Sequence, residues 1–341
     1  MVGGSKGLTL EEIGRRAGVS RSTVSRVLNE RPDVRPSVRE KVEAVIAETG
    51  YVPNQAARAL VSNRSGLIGL VILTEAEELF GDPYYSALVH GIQQGCLEHG
   101  LVFSIFPVLG SDGHENLLPR QLAQGFVDGA IVTAGPRSEA LIADLRSRGT
   151  RLVVIGHPDD DADLMRIDVD NHGGSVAIVE HLVGLGRRRI GFVGPTPDYI
   201  FGVERLEGYR DALAAAGMTI DDRWERLAEP TADGGRAAAE ELLGEAPDAI
   251  YAATDTMAIG VLATLAERGL RVPEDVAVVG FDGLPRSPQT DPALTTVIQP
   301  VAEVGLAAVA TLVGEVEAPH LTVLPTRLEI RESCGSLLTP G

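Results

Sequence analysis

The side chains best suited to chemistry fall into two sets. The first is Arg21, Ser22 and Arg26, inside the run S-R-S-T-V-S-R-V-L-N at 20–29. A guanidinium is a planar fork that pairs bidentately with the O6 and N7 edge of guanine, and a serine hydroxyl serves any base as donor or acceptor. The second set is scattered, its members following apolar runs: Asp82, Tyr84 and Tyr85; His157; Thr254 and Asp255; Phe281 and Asp282; and Gln299, with Arg205 in V-E-R-L-E-G-Y. Carboxylates and a guanidinium suit vicinal hydroxyls, and an aromatic ring stacks on the C–H face of a sugar or on a purine.

Catalysis finds no support in the chain. It has no G-x-x-x-x-G-K-[ST], no G-x-G-x-x-G after its first strand, no H-E-x-x-H and no G-x-S-x-G. Asp159, Asp160 and Asp161 cluster, but without a base or a metal histidine beside them. Cys96 and Cys334 are the two cysteines, far apart and away from ligand spacing, which excludes a disulfide framework and a zinc site. No enzyme, cofactor or metal centre is expected.

The first set needs a helix to present it, and the sequence supplies three. Thr9 with Glu12 forms a capping box that starts a helix at Leu10; Leu10, Ile13 and Ala17 share one face, and Gly18 is the expected left-handed stop. Ser20 caps the second helix, with Val24, Val27 and Leu28 inward and Arg21, Ser22, Ser25 and Arg26 outward. Pro36 opens a third helix, Val38, Val42, Val45 and Ile46 give it an apolar stripe, and Gly50 ends it. Helix, glycine turn and second helix make the helix-turn-helix layout, in which the start of the second helix meets base edges. Asn54 to Val61 follows Pro53 and reads as a further two turns, too short to be helical unless something packs on it; Leu60 is its exposed apolar residue, beside Arg58.

From Leu67 on, β-branched runs alternate with helical patterns: strands at 67–73, 101–106, 130–133 and 152–155 with helices at about 84–99, 114–124 and 138–148. A second series has strands at 189–194, near Leu227, 249–253 and 276–280, with helices at about 203–216, 233–243 and 255–268. Such alternation means parallel sheets covered on both faces, and two series mean two α/β lobes. In sheets of that kind ligands sit beyond the carboxyl ends of the strands, where the second set of side chains falls. The basic run G-R-R-R-I at 186–190, between helix and strand, reads as a solvated end that complements a helix C-terminus.

Charge divides the chain in the same place. The protein has 341 residues and a net charge of −18, of which residues 1–64 hold +4 and the remainder −22. A basic head on an acidic body implies two different partners. The start M-V-G-G-S-K-G-L-T-L lacks the apolar core of a signal peptide and no run reads as a membrane span, so a cytoplasmic protein with no membrane partner is expected.

On these residues the chain resembles the lac repressor and gal repressor family of bacterial transcription regulators along its whole length. The resemblance implies a helix-turn-helix head, a hinge helix and an α/β core of two doubly wound parallel-sheet lobes like a periplasmic binding protein. The domains would be 8–53 for the head, 54–64 for the hinge, 65–166 with 296–322 for the first lobe and 167–295 with 323–333 for the second. T-V-S-R-V-L-N at 23–29 looks like the recognition helix and N-Q-A-A-R-A-L at 54–60 like the hinge helix, whose Leu60 would enter the minor groove. The DNA contacts so implied are Thr9, Leu10, Ser20, Arg21, Ser22, Thr23, Ser25, Arg26, Asn29, Arg35, Asn54, Ala57, Arg58 and Leu60. Arg35 stands before Pro36 where the family often has a capping Ser or Thr, and it offers a phosphate contact in place of the cap.

In the family the positions of Arg205, Thr254, Asp255, Asp282 and Gln299 line an effector cleft, to which Tyr84, Tyr85, His157 and Phe281 add by their places after strands. The expected protein is a repressor binding pseudo-palindromic operator DNA as a homodimer under control of a small molecule, most simply a sugar. A purine or nucleoside corepressor is the alternative, and a sugar-binding protein without a DNA role a more distant one. The dimer face would use the helix at about 84–99 and its counterpart in the second lobe, and the tail R-E-S-C-G-S-L-L-T-P-G holds no heptad zipper, which favours a dimer.

Overall fold

The computed structural model describes residues 8–28, 31–51, 65–73, 79, 81–108, 122, 126–135, 138–156, 164–314 and 320–336. The chain divides at Ser65 into two units, taken here one at a time.

Among its described residues the head has three helices, α1 (Leu10–Ala17), α2 (Arg21–Leu28) and α3 (Pro36–Thr49). The Thr9 hydroxyl accepts the Glu12 N–H at 3.3 Å, while one Glu12 carboxylate oxygen takes Arg15 at 2.5 Å. Gly18 and Gly50 close α1 and α3 at φ 66 and 61, the left-handed backbone that only glycine adopts at little cost. The Ser20 hydroxyl accepts the Thr23 N–H at 3.2 Å and so caps α2. Ile13, Val24, Val27 and Val42 form the core, with Leu10, Ala17, Leu28, Val45 and Ile46 packed around it. Arg35 makes no side-chain cap to α3, as its replacement of a hydroxyl residue predicts.

Among its described residues the second unit holds two sheets of six strands. In chain order its strands are β1 (Leu67–Ile72), β2 (Val102–Pro107), β3 (Gly129–Thr133), β4 (Leu152–Ile155), β5 (Met165–Val169), β6 (Ile190–Pro195), β7 (Glu225–Ala228), β8 (Ala249–Ala252), β9 (Ala277–Asp282), β10 (Thr295–Ile298), β11 (Leu321–Leu324) and β12 (Arg327–Glu329). Its helices are α4 (Pro83–Glu98), α5 (Ser138–Ser147), α6 (Asn171–Gly184), α7 (Ile200–Ala215), α8 (Ala232–Leu242), α9 (Asp255–Glu267) and α10 (Val301–Val313). The first sheet runs β11-β5-β4-β3-β1-β2, wholly parallel; the second runs β12-β10-β9-β8-β6-β7, parallel except for the β10–β12 pair. Each therefore reverses direction of growth beside its first strand, the switch point where an open α/β sheet leaves a crevice.

The expected lobe limits fall inside three strands. β5 runs to Val169 in the first sheet, β10 to Ile298 in the second, and β11 to Leu324 back in the first, so those strands carry each lobe two or three residues past 166, 295 and 322. Helices α6 and α10 were not expected from the sequence, since both are apolar on most sides. α10 lies against α4, and they approach so closely that a Cβ on Gly305 would stand 2.6 Å from the Leu88 carbonyl oxygen, while one on Gly91 would overlap that of Ala302. The expected helix at about 114–124 lies outside the described residues, except for buried Leu122. Arg188 donates to the Val183 carbonyl at 3.0 Å at the end of α6, the C-terminal role expected of the basic run. Among the described residues no helix is long and apolar enough to cross a membrane.

Both cysteines are buried, but they differ. Burial pushes the Cys96 thiol up to about 11. At Cys334 burial acts in the same sense, yet hydrogen bonds from His181, 3.4 Å away, and from Ser336 and Thr295 bring the thiol down to about 6.

Candidate functional site

One cleft lies between the two sheets, with an enclosed volume of about 150 Å³, room for roughly ten waters. Its walls are strand ends. Leu73 follows β1, Thr133 to Gly135 end β3, Ile155 and Gly156 end β4, and Asp168 and Val169 end β5. From the second lobe come Tyr199 and Phe201 after β6, Pro230 after β7, Thr254 after β8, Asp282 at the end of β9 and Gln299 after β10.

Arg205, on the first half of α7, organises the floor. Its Nε donates to Asn171 Oδ1 at 2.9 Å, and one Nη1 serves both the Ala253 carbonyl at 2.5 Å and Asp282 Oδ1 at 3.0 Å. The guanidinium carbon lies 3.7 Å from the centre of the Phe281 ring and 4.8 Å from that of Phe201. Gln299 Nε2 donates to the same Asp282 oxygen at 2.6 Å. Asn171 gives its amide N–H groups to Asp168 Oδ1 at 3.2 Å and Glu204 Oε2 at 2.9 Å. Burial pushes Asp168 up to about 7, with Glu204 adding to the effect, and burial likewise pushes Asp282 up to about 7 against the pull of Arg205. Asp282 also sits at φ 121, a backbone that costs a side-chain residue about 1–3 kcal/mol and that collects at ligand sites.

Six of the nine expected effector residues line this cleft: Tyr84, Tyr85, Arg205, Thr254, Asp282 and Gln299. The tyrosine rings meet edge to face, 5.5 Å apart at 85°. Thr254 shares its hydroxyl with the start of α9, where it accepts the Met257 N–H at 3.0 Å. Two expected contacts are corrected. Asp255 is wholly buried and its carboxylate is spent on the Leu284 N–H, the Ser287 hydroxyl and the Thr296 hydroxyl, at 2.8, 2.5 and 2.6 Å. Phe281 is wholly buried beneath Arg205, because consecutive residues of a strand face opposite sides and Asp282 takes the cleft. His157 lies outside the described residues. Asp168, Asn171, Tyr199 and Phe201 were missed; D-V-D-N at 168–171 carried the signal, polar residues alternating at the end of an apolar run.

In the head, Arg21, Ser22 and Arg26 are exposed on α2, and Thr23 and Ser25 are half-buried. The hydroxyls of Ser20, Ser22 and Thr23 form a cluster, Ser20 Oγ standing 2.7 Å from Ser22 Oγ and 2.8 Å from Thr23 Oγ1. Arg21 faces Glu11 at 3.3 Å and Arg26 faces Asp33 at 3.6 Å. Thr9 and Arg35 are exposed, while Leu10 gives part of its surface to the head core. Asn29, Asn54, Ala57, Arg58 and Leu60, and with them the hinge, lie outside the described residues.

Comparisons with known proteins agree with both halves of this geometry. Residues 9–54 match the bacterial regulatory proteins of the lacI family, and residues 179–334 match a periplasmic binding protein-like domain. Over 333 residues, 95% of this chain and 98% of the relative, the sequence is 39% identical to the HTH-type transcriptional regulator CelR of Thermobifida fusca. A solved structure of a transcriptional regulator CelR–cellobiose complex matches with a TM-score of 0.75 at 36% identity, over 96% of this chain and 99% of that one. The lac repressor dimer bound to operator and the anti-inducer ONPF matches with a TM-score of 0.83 at 28% identity, with the same coverage.

Proposed function

Because this chain belongs to the lacI family of bacterial transcriptional regulators, we propose that it is a cytoplasmic repressor that binds a pseudo-palindromic operator as a homodimer and is controlled by a sugar held between its lobes. Each protomer presents Arg21 and Ser22 to a major groove, and the segment 54–64 forms a hinge whose Leu60 wedges the minor groove at the operator centre. The body's −22 repels phosphate, so contact is confined to the +4 head and weakens steeply with salt.

The observation that carries the effector half is the convergence of strand ends from both lobes on one cleft floored by Asp168, Asn171, Arg205, Asp282 and Gln299. A molecule that touches both lobes favours one degree of closure over another, and it shifts DNA binding by no more than its differential affinity for the two states. Carboxylates and amides suit sugar hydroxyls, and Tyr199 and Phe201 supply a wall for a C–H face. The relative that holds cellobiose supports a carbohydrate. The edge-to-face Tyr84–Tyr85 pair forms no parallel slot for a purine between its two rings, which is consistent with a sugar.

Thermal-shift screening of cellobiose, glucose and ribose against hypoxanthine and adenosine tests the effector class: stabilisation by a nucleobase and by no sugar defeats it. For the DNA half, footprinting of Arg21→Ala and Leu60→Ala on DNA upstream of the gene is the direct test. Protection equal to wild type by both variants would end the head-and-hinge reading.

A further inference from the structure

We infer that the interlobe cleft is built for an uncharged ligand and rejects the phosphorylated or carboxylated form of the same molecule. The sugar assignment above supplies only the ring that binds; the charge rule applies to whatever fills the cleft.

Three observations carry it. The first is the sum of charges: Asp82, Asp168 and Asp282 line the cleft against Arg205, the sole cation among its described lining residues. Glu204 stands directly behind, bonded through Asn171. The second is the state of that cation. Anion recognition by arginine needs its fork presented to the ligand, but only 3% of the Arg205 side chain is exposed, its Nε and Nη1 are engaged by Asn171, Ala253 and Asp282, and its plane lies against Phe281. To clamp a phosphate it would have to leave Asp282 and Asn171 buried without it, at a heavy penalty.

The third is the fate of the helix N-termini, the other source of anion affinity in such a cleft. α4 is capped by the Asp82 carboxylate, which accepts the Tyr84 N–H at 2.8 Å, and α6 by Asp170, which accepts the Gly173 N–H at 2.7 Å. α9 is capped by Thr254. α7 lacks a side-chain cap, and there the Tyr199 hydroxyl reaches the Glu229 carboxylate at 3.4 Å. At α4 and α6 the protein's own carboxylates thus stand where a ligand's anion would be held, and at α9 a threonine hydroxyl does. That burial pushes Asp168 and Asp282 upward records the same hostility to added negative charge. A neutral ligand meets no such obstacle: its hydroxyls donate to the carboxylates and accept from amide N–H groups.

Calorimetric titration of the full-length protein at pH 7.5 with matched pairs tests the rule: cellobiose and its uronate oxidised at C6 of the non-reducing unit, glucose and glucose 6-phosphate, ribose and ribose 5-phosphate, adenosine and adenosine monophosphate. The expected result is that the neutral member of a binding pair is tighter by about tenfold or more, and that Asp168→Asn narrows the gap. An anionic member binding as tightly as its neutral partner overturns the inference. Adenosine binding in preference to its monophosphate, with no sugar bound, would defeat the sugar assignment and uphold the charge rule; a sugar phosphate preferred over its sugar would do the opposite.

Discussion

Arg21 and Arg26 leave 61% and 63% of their side chains exposed, each beside a single exposed carboxylate, whereas Arg205 leaves 3% exposed and holds together residues from three other places in the sequence. An exposed pair contributes about 0–1 kcal/mol and is screened by salt, so Glu11 and Asp33 give up their arginines readily when a polyanion arrives. A buried pair behaves differently: removing one partner strands the other. The head's arginines are therefore available to a ligand, and the cleft's arginine is part of the wall that shapes one.

Arg205→Ala is the largest expected break in that contrast. It should cost about 3–5 kcal/mol in urea unfolding, by leaving Asp282 and Asn171 buried without their donor, and should abolish ligand binding. A loss below about 1 kcal/mol would place Arg205 with the head's arginines. Arg21→Ala should do the reverse, lowering operator affinity by about 1–3 kcal/mol in a binding titration while folding stability stays within about 0.5 kcal/mol.

A smaller effect sharpens the cleft's side. Phe201→Ala should weaken a bound sugar by about 0.5–1.5 kcal/mol in calorimetry and leave operator binding by the free protein as it was. A further test is a pH effect at Asp168, raised from 3.8 to about 7 chiefly by burial and then by Glu204, with Arg205 opposing. Between those values the folded protein binds the proton and the unfolded chain does not, so this contribution is full below about pH 4 and is lost as pH rises through 7. The urea midpoint of the ligand-free protein should thus fall from pH 5 to pH 8, with a shallower fall in Asp168→Asn.

Local signals in the sequence proved easy to read in the head. Thr9, Gly18, Ser20, Pro36 and Gly50 each fix a helix end through their own backbone or nearest hydroxyl, and all five act where expected. In the second unit the strand order of each lobe was not readable, and α6 and α10 went unseen because a helix packed on most sides has no polar stripe to mark its period. At the cleft, position after a strand found Arg205's partners Asp282 and Gln299 but could not tell a side chain facing the cleft from its neighbour. Phe281 and Asp255 show why. Each adjoins a cleft residue and turns inward, one by strand alternation and one because Thr254 takes the cap and leaves Asp255 to anchor Leu284, Ser287 and Thr296. Asp168 belongs to a strand paired with β11, more than 150 residues away, a pairing that no local pattern announces, and Asn171 opens the helix that follows that strand.

The central claim is that a ligand in the cleft governs DNA contact by the head. Its most direct test is quantitative footprinting of the full-length protein on its own upstream DNA at fixed salt, with and without saturating neutral sugar, in wild type and Arg205→Lys. The account predicts a protected pseudo-palindrome whose half-protection concentration moves by roughly 5–150-fold with sugar in the wild type and by far less in the variant. Protection that ignores every ligand shown to bind the cleft would contradict it.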